Sequence, residues 1–152
     1  MRTVRDADGD TYLLVKRSGE SSRVRDPETG EERYVENADL EAVEGESSLA
    51  TAAAGVPEPV RRTIRATPDD RALGLLIDLV DRGPLSVVEV MDAYDMCESD
   101  LHGRLAEFRV AELIEEVDVG GRRGYATTPT AEAAVRLLRG DVESAETVDD
   151  ES

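Results

Sequence analysis

The residues able to do chemistry in this chain are few. One histidine, His102, and one cysteine, Cys97, stand among 35 aspartates and glutamates. A structural zinc site takes four ligands, mostly nitrogen and sulfur, which this pair cannot supply, and acid pairs are so frequent that none marks a general acid beside a general base. Gly120, Gly121 and Gly124 follow an apolar run, yet the GGRRG sequence lacks the spacing and the ensuing helix of a phosphate-cradling loop. The expectation is therefore no enzyme, no cofactor and no metal. What is left is the chemistry of contact. Arg104, Arg109, Arg122 and Arg123 can meet anionic oxygens, Ser99 and His102 can hydrogen-bond, and Gly103 allows a close backbone approach. His102 reads equally as an idle surface residue. Cys97 reads as a buried or half-buried structural thiol, with a redox-sensing thiol as the alternative: a helix N-terminus would favour its thiolate while Glu98 and Asp100 oppose it.

Residues 86–128 form the frame that must position these groups. Ser86 with Glu89 three residues on is a capping box, so a helix starts near Val87, and Val87, Val90, Met91 and Tyr94 continue it at helical spacing. The repeat lapses at Asp95, Met96 and Cys97, which reads as a turn. A second repeat, Leu101, Leu105, Phe108 and Ala111, buries one face and turns Glu98, Ser99, His102, Gly103, Ala106 and Glu107 outward. Residues 113–119 then alternate apolar and acidic, the glycines bracket Arg122 and Arg123 at a basic tip, and residues 125–128 return as a second strand.

Helix, short turn, helix and glycine-turned hairpin is the element order of a winged helix-turn-helix. Residues 94–114 resemble the second half of that motif in winged-helix regulators of the MarR and ArsR type: a hydrophobe at Met96, a small residue at Cys97, hydrophobes at Leu101, Leu105 and Phe108, a small residue at Ala111, and the apolar pair Leu113 and Ile114 leading into the wing. The run Tyr125, Ala126, Thr127, Thr128, Pro129 is similar to the end of such a wing passing into the next helix. The resemblance spans roughly residues 69–140. It implies an α+β fold, a DNA-binding transcriptional regulator with double-stranded DNA as partner, and a homodimer paired through the flanking helices at 70–82 and 129–138. It assigns Ser99, His102, Gly103, Arg104 and Arg109 to the groove-facing helix and Arg122 and Arg123 to the wing. The competing reading is a winged-helix protein–protein interaction module, because Glu98, Asp100 and Glu107 oppose phosphate, although a carboxylate can accept from a cytosine amino group.

Charge bears on the choice. Asp and Glu exceed Lys and Arg, 35 to 18, for a formal net charge of −17, which argues against a partner as anionic as DNA. Only Lys16 of the basic residues is lysine and the acids are spread along the chain, a habit that resembles proteins of halophilic archaea. In molar salt the Debye length falls to about 3 Å, so overall repulsion is screened and contacts at close range decide. A salt-dependent fold is expected on the same ground. One cysteine and no apolar segment of membrane-spanning length point to a cytoplasmic protein away from membranes.

Residues 1–43 read as a small antiparallel β-meander. Tyr12, Leu13, Leu14 and Val15 make an apolar strand, and segments 22–26 and 31–35 pair around the turn at 27–30. Arg23, Arg25 and Arg33 fall beside Asp26, Glu31 and Glu32, as ion pairs on a solvated face or, with Lys16 and Arg17, as a second basic surface. Residues 44–55 turn to Gly, Ser, Thr and Ala and read as a linker, or at most a loose turn of helix. The domain at 56–140 opens with a short helix striped by Val56, Val60 and Ile64. A helix capped at Thr67 follows, striped by Leu73, Leu76, Ile77 and Val80 with a second ridge at Leu75 and Leu79. Thr128 and Pro129 open a last helix that stops at Gly140. Residues 141–152, acidic with no basic residue, read as a disordered tail.

Overall fold

The computed structural model describes residues 1–140, so the acidic tail lies outside the described residues. The chain divides into two units, Met1–Pro57 and Glu58 onward, each described by itself.

The first unit is a five-stranded antiparallel sheet with a helix on it. Strands β1 (Arg2–Arg5), β2 (Thr11–Arg17), β3 (Ser21–Arg25) and β4 (Glu32–Glu36) form the meander, and after a single 3-10 turn, Asn37–Asp39, strand β5 (Glu41–Ala42) returns beside β1. The turn at 27–30 holds as expected, with Arg25 opposite Glu32. Val4, Tyr12 and Val24 share one face and make its core with Leu14, Val35 and Leu40. Residues 44–55 are not a linker. Ser47 caps helix α1 (Ser48–Ala53) by accepting from Ala50 N–H, and the buried Thr51 hydroxyl meets that of buried Thr3 at 2.7 Å. Small residues at 44–55 carry no apolar period because α1 needs only a close fit on β1 and β2. Arg25 and Arg23 lie 3.3 and 3.7 Å from Glu32, and Arg33 lies 3.5 Å from Asp6 while capping the Tyr12 ring at 4.9 Å. Arg23, Arg25 and Arg33 are thus spent on ion pairs, and the second basic surface is not formed by them.

The second unit runs α2 (Glu58–Ala66), α3 (Asp70–Arg82), β6 (Leu85–Ser86), α4 (Val87–Tyr94), α5 (Glu98–Val110), β7 (Ile114–Val119), β8 (Arg122–Thr127) and α6 (Pro129–Leu138), with strand order β6-β8-β7. Ser86 caps α4 by accepting from Glu89 N–H at 3.1 Å, and Thr128 caps α6 with Pro129 in its first turn. Leu101, Leu105 and Phe108 anchor α5 in a core shared with Leu76, Leu79 and Leu113.

Three expectations about faces and caps change. The cap of α3 is Asp69, not Thr67. Its core ridge is Ala72, Leu75, Leu76 and Leu79, leaving Leu73, Ile77 and Val80 half-buried. In α2 the buried positions are Val60, Thr63 and Ala66, so Ile64 faces out and Val56 belongs to the first unit. Both helices carry apolar residues on more than one side, and packing on α6 and α5 selects the inward one. Strand β6 was not expected: it is two residues long, one of them also the cap of α4, which is too short for any alternation to register.

Candidate nucleic-acid interface

The hairpin β7–β8 turns on Gly120 and Gly121 alone, both at positive φ (59° and 83°), as a two-residue turn matching strand twist requires. Val119 pairs with Arg122 and Asp118 with Arg123, so the arginines are the first residues of β8 and the tip itself is glycine. This corrects the basic tip. Because strand side chains alternate, Arg122 and Arg123 leave opposite faces of the ribbon. Gly124 is likewise no turn residue: it is buried within β8, and a Cβ there would stand 2.6 Å from the Leu85 carbonyl oxygen, so its absence lets β6 close on β8.

Beside this ribbon α5 presents an open outer face. Ser99, Gly103, Ala106, Arg109 and Val110 are exposed, Val110 at 84%. Nothing lies within 4 Å of where a Gly103 Cβ would be. His102 lies half-exposed with Nε2 3.4 Å from Glu98 Oε1 one turn back. Helix α5 begins at Cys97, whose exposed thiol stands 3.6 Å from the Ser99 hydroxyl. That contact, with the Asp100 N–H, holds the thiol below its ordinary pKa against the opposing Asp100 charge. The expectation of a buried or half-buried structural thiol is overturned. The preceding turn puts Asp95 in the left-handed region, aiming Cys97 outward after the buried Met96.

The four arginines divide. Arg104 donates from Nη1 to Asp69 Oδ1 at 3.0 Å, lies 3.7 Å from Asp100, and its side chain is only 15% exposed. The same Asp69 oxygen caps α3 through Ala72 N–H at 2.8 Å. Arg104 therefore pins α5 to the start of α3, and its assignment to an anionic partner is withdrawn. Arg109 of α5 and Arg123 of β8 reach the same carboxylate, Glu116 of β7, at 3.9 and 3.2 Å. Arg123 also lies 6.0 Å from the centre of the Tyr125 ring. Arg122 has no ion pair among the described residues. Sequence reasoning missed Glu116, whose alternation with Val117 marked it outward but could not show which cations it would meet.

The arginines of α2 answer the acidic surface in part. Arg62 donates to Glu58, to Glu112 at 2.5 Å and to the Ala111 carbonyl at the end of α5. In the first unit a recess of about 830 Å³ is lined by Asp10, Asp26, Glu28 and Glu46, wrong in sign for an anion. Asp6, Asp8 and Asp10, of which only Asp10 lines the recess, have carboxylate oxygens within 4.8 Å of one another, and Asp6 already accepts from two backbone N–H groups of its own turn.

The outward-facing α5 after its short turn, with the glycine-turned ribbon beside it, gives the second unit the element order of a winged helix-turn-helix fold. Residues 1–139 match the family of unknown function DUF7346, and the chain belongs to that family. No curated protein matches it. Among solved structures, an ArsR family transcriptional regulator is similar at 18% identity and a TM-score of 0.42, over 60% of this chain and 94% of that one. Among the described residues no helix is long and apolar enough to cross a membrane.

Proposed function

We propose that this chain is a DNA-binding transcriptional regulator, in which the outer face of α5 enters a major groove and the wing lies along the adjacent backbone. The observation that carries the reading is the convergence of Arg109 from the helix and Arg123 from the wing on one carboxylate, which brings two cations from two elements to one place. Arg122 adds an unspent guanidinium on the ribbon's other face, while Ser99, His102 and Gly103 form the part of α5 that faces bases. The protein works as a cytoplasmic homodimer, and it performs no catalysis. Its two groove helices would lie about 34 Å apart, one helical turn of DNA. The charge of −17 fits an interior of high salt, where close contacts rather than net field decide binding.

A gel shift in molar KCl with genomic fragments tests this. Arg122→Ala with Arg123→Ala should weaken binding to all sequences alike, by roughly tenfold, and unchanged binding removes the wing from the interface. A second reading, an interaction module that docks a protein, is favoured by Glu98, Asp100 and Glu107 lying along α5, the first and last of them exposed. Pull-down in native salt separates the two: enrichment of particular DNA fragments supports the regulator, and a protein partner without DNA supports the module.

A further inference from the structure

Glu116 lies between two guanidiniums that belong to different elements. Its Oε2 is 3.9 Å from Arg109 Nη1 and its Oε1 is 3.2 Å from Arg123 Nε. The side chains of Arg109, Glu116 and Arg123 are 49%, 44% and 54% exposed, so these are solvent-screened pairs that exchange partners cheaply. Other holds would survive the exchange. Arg123 remains over Tyr125, and the neighbouring Asp118 is occupied in accepting from Gly121 N–H at 2.7 Å. A carboxylate offers two oxygens and one negative charge, as a phosphodiester does, and arginine reads both by the same paired donation.

We propose that Glu116 is an internal stand-in for a backbone phosphate: it holds Arg109 and Arg123 aligned in the free protein and is displaced when duplex DNA binds. The inference rests on the DNA-binding reading above. It makes Glu116 a competitor that lowers affinity for every phosphate, so a duplex engages the pair only when other contacts of α5 hold it in place. The three side chains carry a net charge of one with Glu116 present and two without it.

Glu116→Gln tests this, because it keeps the side chain's size and one acceptor while removing the charge. Over the range of KCl in which circular dichroism shows both proteins folded, binding of a mixed-sequence duplex should tighten roughly three- to tenfold, and the slope of log affinity against log salt should stay the same, because the same phosphates are met with and without Glu116. In a protein already carrying Arg109→Ala and Arg123→Ala the same change should do nothing. Weaker binding by the glutamine variant would make Glu116 a positioning residue only, and equal binding would leave it without a part; either overturns the inference while the DNA reading stands. If both proteins are folded by circular dichroism and neither binds duplex, the DNA reading falls and takes the inference with it. A variant that binds where the parent does not supports both.

Discussion

Helix α5 spends its two arginines in opposite ways. At its centre Arg104 is 15% exposed and fixed by Asp69, a carboxylate itself held rigid because it caps α3. Toward its C-terminal end Arg109 is 49% exposed and meets Glu116 at 3.9 Å, on a ribbon stranded against one neighbour only at that edge. Residue type is the same, and the partner's own anchorage differs. An arginine of α5 is available to a ligand when its carboxylate is loosely held, and becomes part of the frame when that carboxylate has a second structural duty.

The contrast can be broken most severely from beneath. Phe108 is fully buried in the core that holds α5, and Phe108→Ala should cost about 3–5 kcal/mol, read by urea unfolding, with loss of any α5-dependent binding. A small loss would mean that α5 is not held by this core. Arg104→Ala should lower stability by about 1 kcal/mol and leave the salt slope of DNA binding where it was. A shallower slope at unchanged stability would erase the distinction between the two arginines.

Acid sharpens the same point. Ala72 N–H and then Arg104 hold the Asp69 carboxyl below its ordinary pKa of 3.8. A depressed carboxyl contributes stability that is complete above that ordinary value and is lost as pH falls through the lower, folded-state value. Unfolding midpoints from pH 6 down to pH 3 should therefore fall more steeply for the parent than for Asp69→Asn at the acid end. Parallel curves would show that the pin contributes nothing. The smallest effect belongs to Gly103. With nothing within 4 Å of a built Cβ, Gly103→Ala should stabilise α5 by about 0.5–1 kcal/mol. If the backbone approaches a groove there, DNA affinity should drop in the same protein, and a gain in both would remove Gly103 from the interface.

Much of the second unit was legible because its signals are local. Ser86 caps through an N–H three residues away, Gly120 and Gly121 supply their own turn, and Leu101, Leu105 and Phe108 announce one face by spacing alone. The faces of α2 and α3 were not legible. Leu73 with Ile77 and Leu75 with Leu79 are equal ridges in sequence, and only neighbouring helices choose between them. Helix α1 was legible only as a linker or a loose turn, because its fit depends on Thr51 meeting Thr3, 48 residues earlier.

The sequence by itself determined α4, α5, the hairpin and the start of α6, since caps, turn glycines and apolar periods act within a few residues; α1, β6 and the cap of α3 escaped it. Tertiary structure alone decided which cations are spent. Arg104 meets an acid 35 residues away and Arg62 one 50 residues away, and no spacing rule reaches that far. Charge pairing is a matter of distance in space, so the free and the bound arginines of α5 and the wing become distinct only when the chain is folded.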